Sequence, residues 1–386
     1  MIEPSALAIH YSRFRVAERI LLTGHSHQAW PDVGLAAQQR AWLDAAELVD
    51  DKWPRDLEQA QRVREGFARL LGDKAEHIAL GQNTHELLVR WLSALPLRAR
   101  PRIVTTDGEF RSMRRQLNRL AEEGWPITAV AARPVATLAE RLSLQIDDRT
   151  ACVMVSSVLY DTAEMVPELP LVAAACRHHG ARLLVDAYHH LNVVPFDSTA
   201  LDLEDAFVTG GGYKYCQLGE GNCFLRIPAG CDMRPIVTGW YAELAALDAA
   251  RPSQVAYEPG AGAFAGATYD PTSHYRAAAV FDFFQSQRLV PERLRLANQR
   301  QVGILKNAFE ALDLDPVVAH VEPMPDERRG GFLAIRTPRA ADVARALRAD
   351  GTFVDARGDI LRVGPAPYVR DDQLHAGIEA IGRAVK

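Results

Sequence analysis

The sequence predicts a three-layer α/β/α domain with a mostly parallel sheet, joined to a small α+β domain. Between about residues 55 and 230, short apolar runs of strand length alternate with segments whose apolar residues recur at three-to-four spacing. This alternation is typical of a parallel sheet covered by helices on both faces. From residue 331 the chain reads as a strand-and-helix module, and 386 residues suffice for one large domain and one small one.

The predicted elements follow the chain in order. Strands of the large domain are predicted at 102–106, 127–131, 151–156, 182–186, 206–208 and 222–226, with helices at 57–71, 84–94, 112–122 and 171–179. Helices at 275–284 and 291–312 follow, and the chain then ends in a strand-and-helix module at 331–336, 341–350, 352–355, 360–363 and 371–385. We therefore predict a large domain over 20–250, a connecting loop over 251–274, and a small domain from 1–19 and 275–386.

Composition restricts the classes of function. Charged residues make up 24% and hydrophobic residues 48% of the chain, and the net charge is −5, so no basic surface for nucleic acid is expected. No apolar run reaches the length of a membrane span, and the first residues lack a signal-peptide core, so we expect a cytoplasmic protein without a membrane partner. The five cysteines include no CxxC pair, which disfavours a zinc cluster or a disulfide framework.

The most informative motif is a lysine on a glycine-rich loop. Lys214 follows Thr209-Gly210-Gly211-Gly212-Tyr213, and Asp186 ends an apolar strand-like run 28 residues earlier. A lysine amine can hold pyridoxal 5'-phosphate (PLP) as a Schiff base, and a strand-end aspartate can keep the pyridine nitrogen of PLP protonated. Each residue alone is a common feature, but the pair in this order predicts a PLP-dependent enzyme.

With these motifs the chain resembles the class V aminotransferase superfamily of PLP fold type I, and within it kynureninase most closely. The resemblance is strongest over 156–225, where the lysine loop reads Gly-Tyr-Lys-Tyr followed by Gly-x-Gly, and the strand end reads Asp-Ala-Tyr-His. It implies that Lys214 carries the Schiff base, that Asp186 pairs with the ring nitrogen, that Tyr213 binds the phosphate, and that His189 lies beside the cofactor.

Other cofactor contacts are expected at a helix start and after a strand. Asn83 and Thr84 open a predicted helix, where backbone N–H groups and a hydroxyl can bind phosphate. A plain N-cap is the alternative role for this pair. By resemblance Phe110 stacks on the cofactor ring, although a core phenylalanine at a helix start explains it equally well.

Two further residues point to a shared active site. The resemblance places Thr268, in Gly266-Ala267-Thr268, against the phosphate of a partner subunit and Trp240 near the substrate, which implies a homodimer. Trp240 could equally be an ordinary interface or core residue.

Substrate binding is expected at three residues. The resemblance places Arg362 at the position of the superfamily's carboxylate-binding arginine. The chemistry fits, because a planar guanidinium can hold an α-carboxylate with two hydrogen bonds. A structural salt bridge is the alternative. His25 and His27 fall on an N-terminal loop that can reach the substrate, and an ordinary polar loop is the other reading. Their spacing does not support a metal site.

The resemblance implies hydrolysis of a Cβ–Cγ bond in an amino-acid substrate, as in kynureninase. Departures from the kynureninase pattern occur at Met113, at Leu159-Tyr160-Asp161 and near Gly266, where substrate contacts are expected. A class V aminotransferase, or a related lyase, acting on another amino acid is therefore the alternative. A cysteine desulfurase is disfavoured because no cysteine follows Cys231. A PLP-fold protein that binds without catalysis is disfavoured because the lysine, the aspartate and the arginine are all present. A metal-dependent hydrolase or a nucleotide-binding α/β protein is disfavoured because the sequence lacks metal-ligand spacing and any GxGxxG or Walker motif.

Overall fold

The structure is a computed structural model that describes residues 2–246 and 254–386. The strands in chain order are β1 (Ile20–Leu21), β2 (Ile78–Gly81), β3 (Arg102–Thr106), β4 (Ile127–Val130), β5 (Thr150–Ser156), β6 (Arg182–Asp186), β7 (Phe207–Gly211), β8 (Cys223–Arg226), β9 (His320–Val321), β10 (Leu333–Arg336), β11 (Thr352–Phe353), β12 (Asp355–Arg357) and β13 (Ile360–Val363). The helices are α1 (Pro4–Ala8), α2 (Val33–Leu48), α3 (Trp53–Leu71), α4 (Thr84–Ser93), α5 (Arg111–Glu122), α6 (Leu138–Ser143), α7 (Leu169–His179), α8 (Thr272–Ser286), α9 (Pro291–Glu310), α10 (Ala340–Ala349) and α11 (Asp371–Val385).

Seven strands form the central sheet in the order β2-β8-β7-β6-β5-β3-β4. Strand β8 runs antiparallel to both of its neighbours, and the other pairings are parallel. Every residue of β5 is buried, as expected for a strand covered by helices on both faces. The prediction of an α/β fold with a mostly parallel central sheet is confirmed.

A second sheet lies in the C-terminal part of the chain. It is antiparallel in the order β12-β13-β10-β9, and helix α11 packs along α9 beside it. The N-terminal segment reaches this region, because β1 pairs in parallel with β11. The division at 250/251 lies outside the described residues, so the domain limits stay a prediction. Among the described residues no helix has the length and apolar character needed to cross a membrane.

The sequence patterns located most elements, but helix α2 and strand β2 are among those they missed, and the single strand predicted at 352–355 is two strands, β11 and β12. Helix α2 was not predicted because its large apolar residues, such as Leu35, Trp42 and Leu43, are exposed instead of forming one stripe toward the core. Strand β2 has only four residues and pairs only with β8 at the sheet edge, too short a run for an alternating pattern to show.

Candidate active site

The carboxyl ends of the parallel strands assemble the site. Strand β6 ends at Asp186, the neighbouring β5 ends at Ser156 directly beside it, and β7 ends at Gly211, three residues before Lys214. An open parallel sheet collects functional groups at this edge. Gly211 is required there because a Cβ atom would lie 2.1 Å from the hydroxyl oxygen of Tyr188. The lysine and aspartate that the sequence singled out therefore face the same cavity.

Lys214 is buried, with 5% of its surface exposed. Its Nζ lies 2.8 Å from Nε2 of His189 and 4.3 Å above the ring of Tyr188. Burial lowers the pKa of Lys214 to about 7; Asp186 opposes this shift, and the positive charge of Arg362 adds to it. A substantial fraction of the lysine is therefore an uncharged amine at neutral pH, the form that can attack an aldehyde.

Asp186 is also buried, and one of its carboxylate oxygens accepts a hydrogen bond from the backbone N–H of Tyr188 at 2.9 Å. Burial raises the pKa of this carboxyl group, while that hydrogen bond and the charge of Lys214 oppose the rise. The protonated ring nitrogen of a bound cofactor, placed against Asp186, would keep this carboxylate ionised.

The first turn of α4 forms one wall of the cavity. Asn83 is a true N-cap, since its Oδ1 accepts a hydrogen bond from the backbone N–H of Glu86 at 3.0 Å and its Nδ2 donates to the Glu86 carboxylate. Thr84 faces the cavity, with its hydroxyl 3.7 Å from Sγ of Cys223. The capping role is thus present, and the phosphate role of this pair stays a prediction that the exposed helix start permits.

Phe110 and Tyr213 line the same cavity. The ring centroid of Phe110 lies 5.4 Å from Nζ of Lys214, and Phe110 packs edge-on against Tyr160. Tyr213 stacks on His27 with ring centroids 4.9 Å apart. Both side chains line the cavity, so the stacking predicted for Phe110 and the phosphate contact predicted for Tyr213 stay predictions.

Arg362 reaches a second cavity that adjoins the first at Lys214 and His189. It projects from β13 with 2% of its surface exposed, pairs with the carboxylate of Asp355, and donates from Nη1 to the backbone oxygen of Tyr160 at 2.6 Å. The salt-bridge alternative is therefore present in the structure. Arg362 nevertheless remains on the cavity wall, where its Nε is buried without a hydrogen-bond partner among the described residues.

The two predicted histidines differ in their surroundings. His25 is fully buried on the wall of the second cavity, with Nε2 3.7 Å from the Asp355 carboxylate. Burial lowers the pKa of His25 to about 3, and the charge of Arg362 lowers it further while Asp355 opposes the shift. His27 is more exposed and pairs with Glu220 at 3.2 Å. Both face the cavity, so a substrate contact stays a prediction for each.

Trp240 and Thr268 lie away from Lys214 within this chain. The indole Nε1 of Trp240 donates to Oγ1 of Thr268 at 3.2 Å, and Trp240 is 43% exposed. Thr268 lines a separate surface cavity of about 860 Å³. Neither residue reaches the cavity of its own chain, so their predicted contacts and the homodimer both depend on a partner subunit and stay predictions.

Sequence reasoning missed a buried carboxyl group behind the cavity. Glu109 is 1% exposed and accepts hydrogen bonds from the hydroxyl groups of Thr106 and Ser156 and from the backbone N–H of Ser156. Burial raises the pKa of Glu109 to about 7, those hydrogen bonds oppose the rise, and the nearby charge of Asp186 adds to it. The signal available in the sequence was its position directly before Phe110. That position does not reveal a contact with Ser156, which lies 47 residues further along the chain.

PLP fits the first cavity. The cavity has a volume of about 340 Å³, and its walls combine the buried amine of Lys214, the strand-end carboxylate of Asp186, two aromatic rings and a helix N-terminus. These groups match the aldehyde, ring nitrogen, ring faces and phosphate of the cofactor. His189 adds a buried Nδ1 that has no hydrogen-bond partner among residues 2–246 and 254–386. The donor set therefore suits an anionic, planar cofactor.

Comparisons with known proteins give sequence relatives. The family model described as Kynureninase C-terminal domain matches residues 294–381. The chain is 22% identical over 342 residues to a protein of Bacillus subtilis named Uncharacterized aminotransferase YcbU, covering 88% of each chain. It is 23% identical over 250 residues to the kynureninase of Bacillus cereus, covering 62% of this chain and 56% of that protein. The match therefore spans little more than half of that kynureninase.

Solved structures share the whole fold. The complex of the cystine C–S lyase C-DES with its reaction product cysteine persulfide has a TM-score of 0.82 at 17% identity and covers 95% of this chain and 98% of its own. The apo cysteine desulfurase from Thermococcus onnurineus NA1 has a TM-score of 0.82 at 16% identity, and the match covers 100% of this chain and 98% of that chain. At such identities the likeness shows the fold alone. Together with the sequence relatives, it confirms that the chain has the PLP-dependent fold type I architecture and resembles the class V aminotransferase superfamily, with kynureninase among its relatives.

Proposed function

We propose that the protein is a PLP-dependent enzyme that acts on an amino acid and hydrolyses its Cβ–Cγ bond in the manner of kynureninase. The observation that carries the proposal is the buried amine of Lys214, which faces Asp186 in one cavity and Arg362 in the next. Bound PLP would supply an electron sink for negative charge that develops at the substrate Cα.

The residues of the chain have separate roles in this proposal. Lys214 would hold the cofactor covalently through Nζ, and the lowered pKa of its amine would suit it to take the proton from the substrate Cα. Asp186 would accept a hydrogen bond from the protonated pyridine nitrogen and so favour its charged form. Arg362 binds the α-carboxylate through its guanidinium, with the unpartnered Nε as an available donor.

The proposed hydrolysis balances with water alone. The substrate is a γ-keto amino acid, and its Cβ–Cγ bond breaks. The oxygen of water joins the γ-carbon to form a carboxylic acid, and a proton is delivered to Cβ, so that alanine leaves.

An aminotransferase is the second candidate, and one observation favours it. The similarity to Uncharacterized aminotransferase YcbU runs over 88% of both chains, whereas the similarity to the kynureninase reaches 56% of that protein. A cysteine desulfurase activity is not proposed, because the chain has no cysteine after Cys231.

Product analysis tests the proposal. The PLP-loaded protein is incubated with L-kynurenine or 3-hydroxykynurenine and no keto acid, with Lys214→Ala as the control. Alanine in excess over enzyme, together with the matching anthranilate, supports Cβ–Cγ hydrolysis. One equivalent of a keto acid, continuing only when a 2-oxo acid is added, supports the aminotransferase instead. Equal turnover by Lys214→Ala would contradict both.

A further inference from the structure

The second cavity extends beyond the position expected for an α-carboxylate. It has a volume of about 350 Å³ and is bounded by the N-terminal loop on one side and by the β11–β12 region on the other. Lys214 and His189 lie at its junction with the first cavity, and Arg348 lies at its outer rim, with its guanidinium 5.8 Å from the ring of Phe353. A substrate side chain that points away from the cofactor would occupy this space.

The β12–β13 hairpin brings two arginines to one face. Asp355 and Arg362 are directly opposite each other in the antiparallel register, and Arg357 lies two residues from Asp355 on the same strand. Residues opposite each other and residues two apart project from the same face of a sheet. Asp355 holds the two arginines together, with one carboxylate oxygen accepting from Nη1 of Arg357 at 2.7 Å and the other paired with Arg362.

The charges in this cavity do not cancel. Its lining includes Arg348, Arg357 and Arg362, whereas Asp355 is its one carboxylate among the residues that the structure describes. Burial would raise the pKa of Asp355, but the neighbouring His25 and Arg362 hold it well below the usual range, so Asp355 contributes a single full negative charge.

Donors also remain available on the cavity wall. The Nε atoms of Arg357 and Arg362 are both buried and have no hydrogen-bond partner within the described parts of the chain. A buried guanidinium N–H without an acceptor is unfavourable. An anion placed between these side chains would accept hydrogen bonds from the two Nε–H groups. An α-carboxylate requires only one of the two arginines.

We propose that the enzyme selects amino acids whose side chain carries a second anionic group, with Arg357 as the residue that determines this specificity and Arg348 as an accessory cation at the rim. Arg362 then takes the α-carboxylate, and Arg357 takes the anion of the side chain. The inference rests on the proposed function, because it requires an amino acid to lie between Lys214 and Arg362, but it does not depend on which bond is broken.

The inference narrows the substrate of either candidate reaction. For hydrolysis it selects a γ-keto amino acid whose acyl group is itself anionic, and for amino transfer it selects a dicarboxylic amino acid. Kynurenine, which has a neutral side chain, is then a poorer ligand than an acidic amino acid.

Matched ligand pairs test the specificity. The PLP-loaded protein is titrated with L-glutamate and L-glutamine, and with L-aspartate and L-asparagine, and dissociation constants are measured by calorimetry and by the visible absorption of the cofactor. We expect the acid of a pair to bind about tenfold to hundredfold more tightly than the amide of the same length, as for a charge-assisted hydrogen bond. Arg357→Gln should abolish this ratio and leave amide binding within about twofold, and Arg357→Lys should retain part of it.

Each outcome has a definite meaning. The control Arg345→Gln changes an exposed arginine of the same region that pairs with Asp342, and it should keep the wild-type ratio. Equal binding of acid and amide by the wild type, or an equal loss for both in Arg357→Gln, would overturn the inference while leaving the proposed function intact. If no amino acid alters the absorption of the cofactor, the proposed function itself fails.

Discussion

The amine nitrogen of Lys214 and the imidazole Nε2 of His189 lie 2.8 Å apart in a fully buried site. Burial lowers the pKa of both groups, so the contact joins a lysine and a histidine that are readily uncharged near neutral pH. A neutral imidazole can accept a hydrogen bond from the amine and hold it toward the cavity. The reactivity of Lys214 thus follows from its surroundings.

The capture of PLP should depend on pH in a characteristic way. Because the pKa of Lys214 is about 7, the rate at which cofactor-free protein binds PLP covalently should rise with pH through about 7 and level off near pH 8. An ordinary lysine would continue to gain reactivity up to about pH 10. Stopped-flow absorption between pH 5.5 and 9.5 measures this profile, and a rate that still increases above pH 9 would contradict the assigned environment.

Glu109 should make the stability of the cofactor-free protein depend on pH. Its pKa is raised from 4.5 to about 7 in the folded state, so its contribution is fully present below about pH 4.5 and is lost as the pH rises through about 7. The loss is on the order of 3 kcal/mol at 1.36 kcal/mol per pKa unit. Urea unfolding at pH 5 and pH 8 should show a smaller pH effect in Glu109→Gln than in the wild type. An unchanged pH effect would show that Glu109 does not titrate in this range.

Two helical glycines should respond in opposite directions to alanine. A Cβ atom on Gly66 in α3 would lie 2.2 Å from the ring of Phe281 in α8, whereas a Cβ on Gly303 in α9 would meet nothing within 4 Å. Gly303→Ala should therefore stabilise the protein by about 0.5–1 kcal/mol, and Gly66→Ala should destabilise it by about 1–3 kcal/mol through overpacking. Thermal unfolding compares the pair. Stabilisation by both substitutions would show that the α3–α8 contact can relax.

The sheet edge depends on a buried ion pair. Arg226 of β8 is 4% exposed, pairs with Asp73, and donates to the backbone oxygens of Glu204 and Ala206. Arg226→Ala should cost about 3–5 kcal/mol because it leaves the Asp73 carboxylate, whose side chain is 9% exposed, with His77 and the backbone N–H of Lys74 but without its arginine. Arg345→Ala, at an exposed pair, should cost about 0–1 kcal/mol. Denaturant unfolding that gave similar losses for the two would contradict the assigned burial.

The sequence was most informative for features that depend on neighbouring residues in the chain. The apolar run that ends at Asp186 predicted its strand end correctly, whereas β7 continues to Gly211, three residues beyond the predicted end at 208. Both ends lie at one edge of the sheet, as parallel strands require. Contacts between distant segments could not be predicted. The hydrogen bonds of Glu109 to Ser156 depend on how β3 and β5 align, and the pairing of Arg362 with Asp355 depends on the register of a hairpin.

The identity of the lysine that carries PLP tests the central claim most directly. The sequence contains only five lysines, at positions 52, 74, 214, 306 and 386, so reduction of the PLP-loaded protein with borohydride followed by peptide mass spectrometry can assign the label without ambiguity. We predict a single phosphopyridoxyl group on the peptide that contains Lys214, and none in Lys214→Ala. A label on another lysine, or one spread over the surface lysines, would contradict the account.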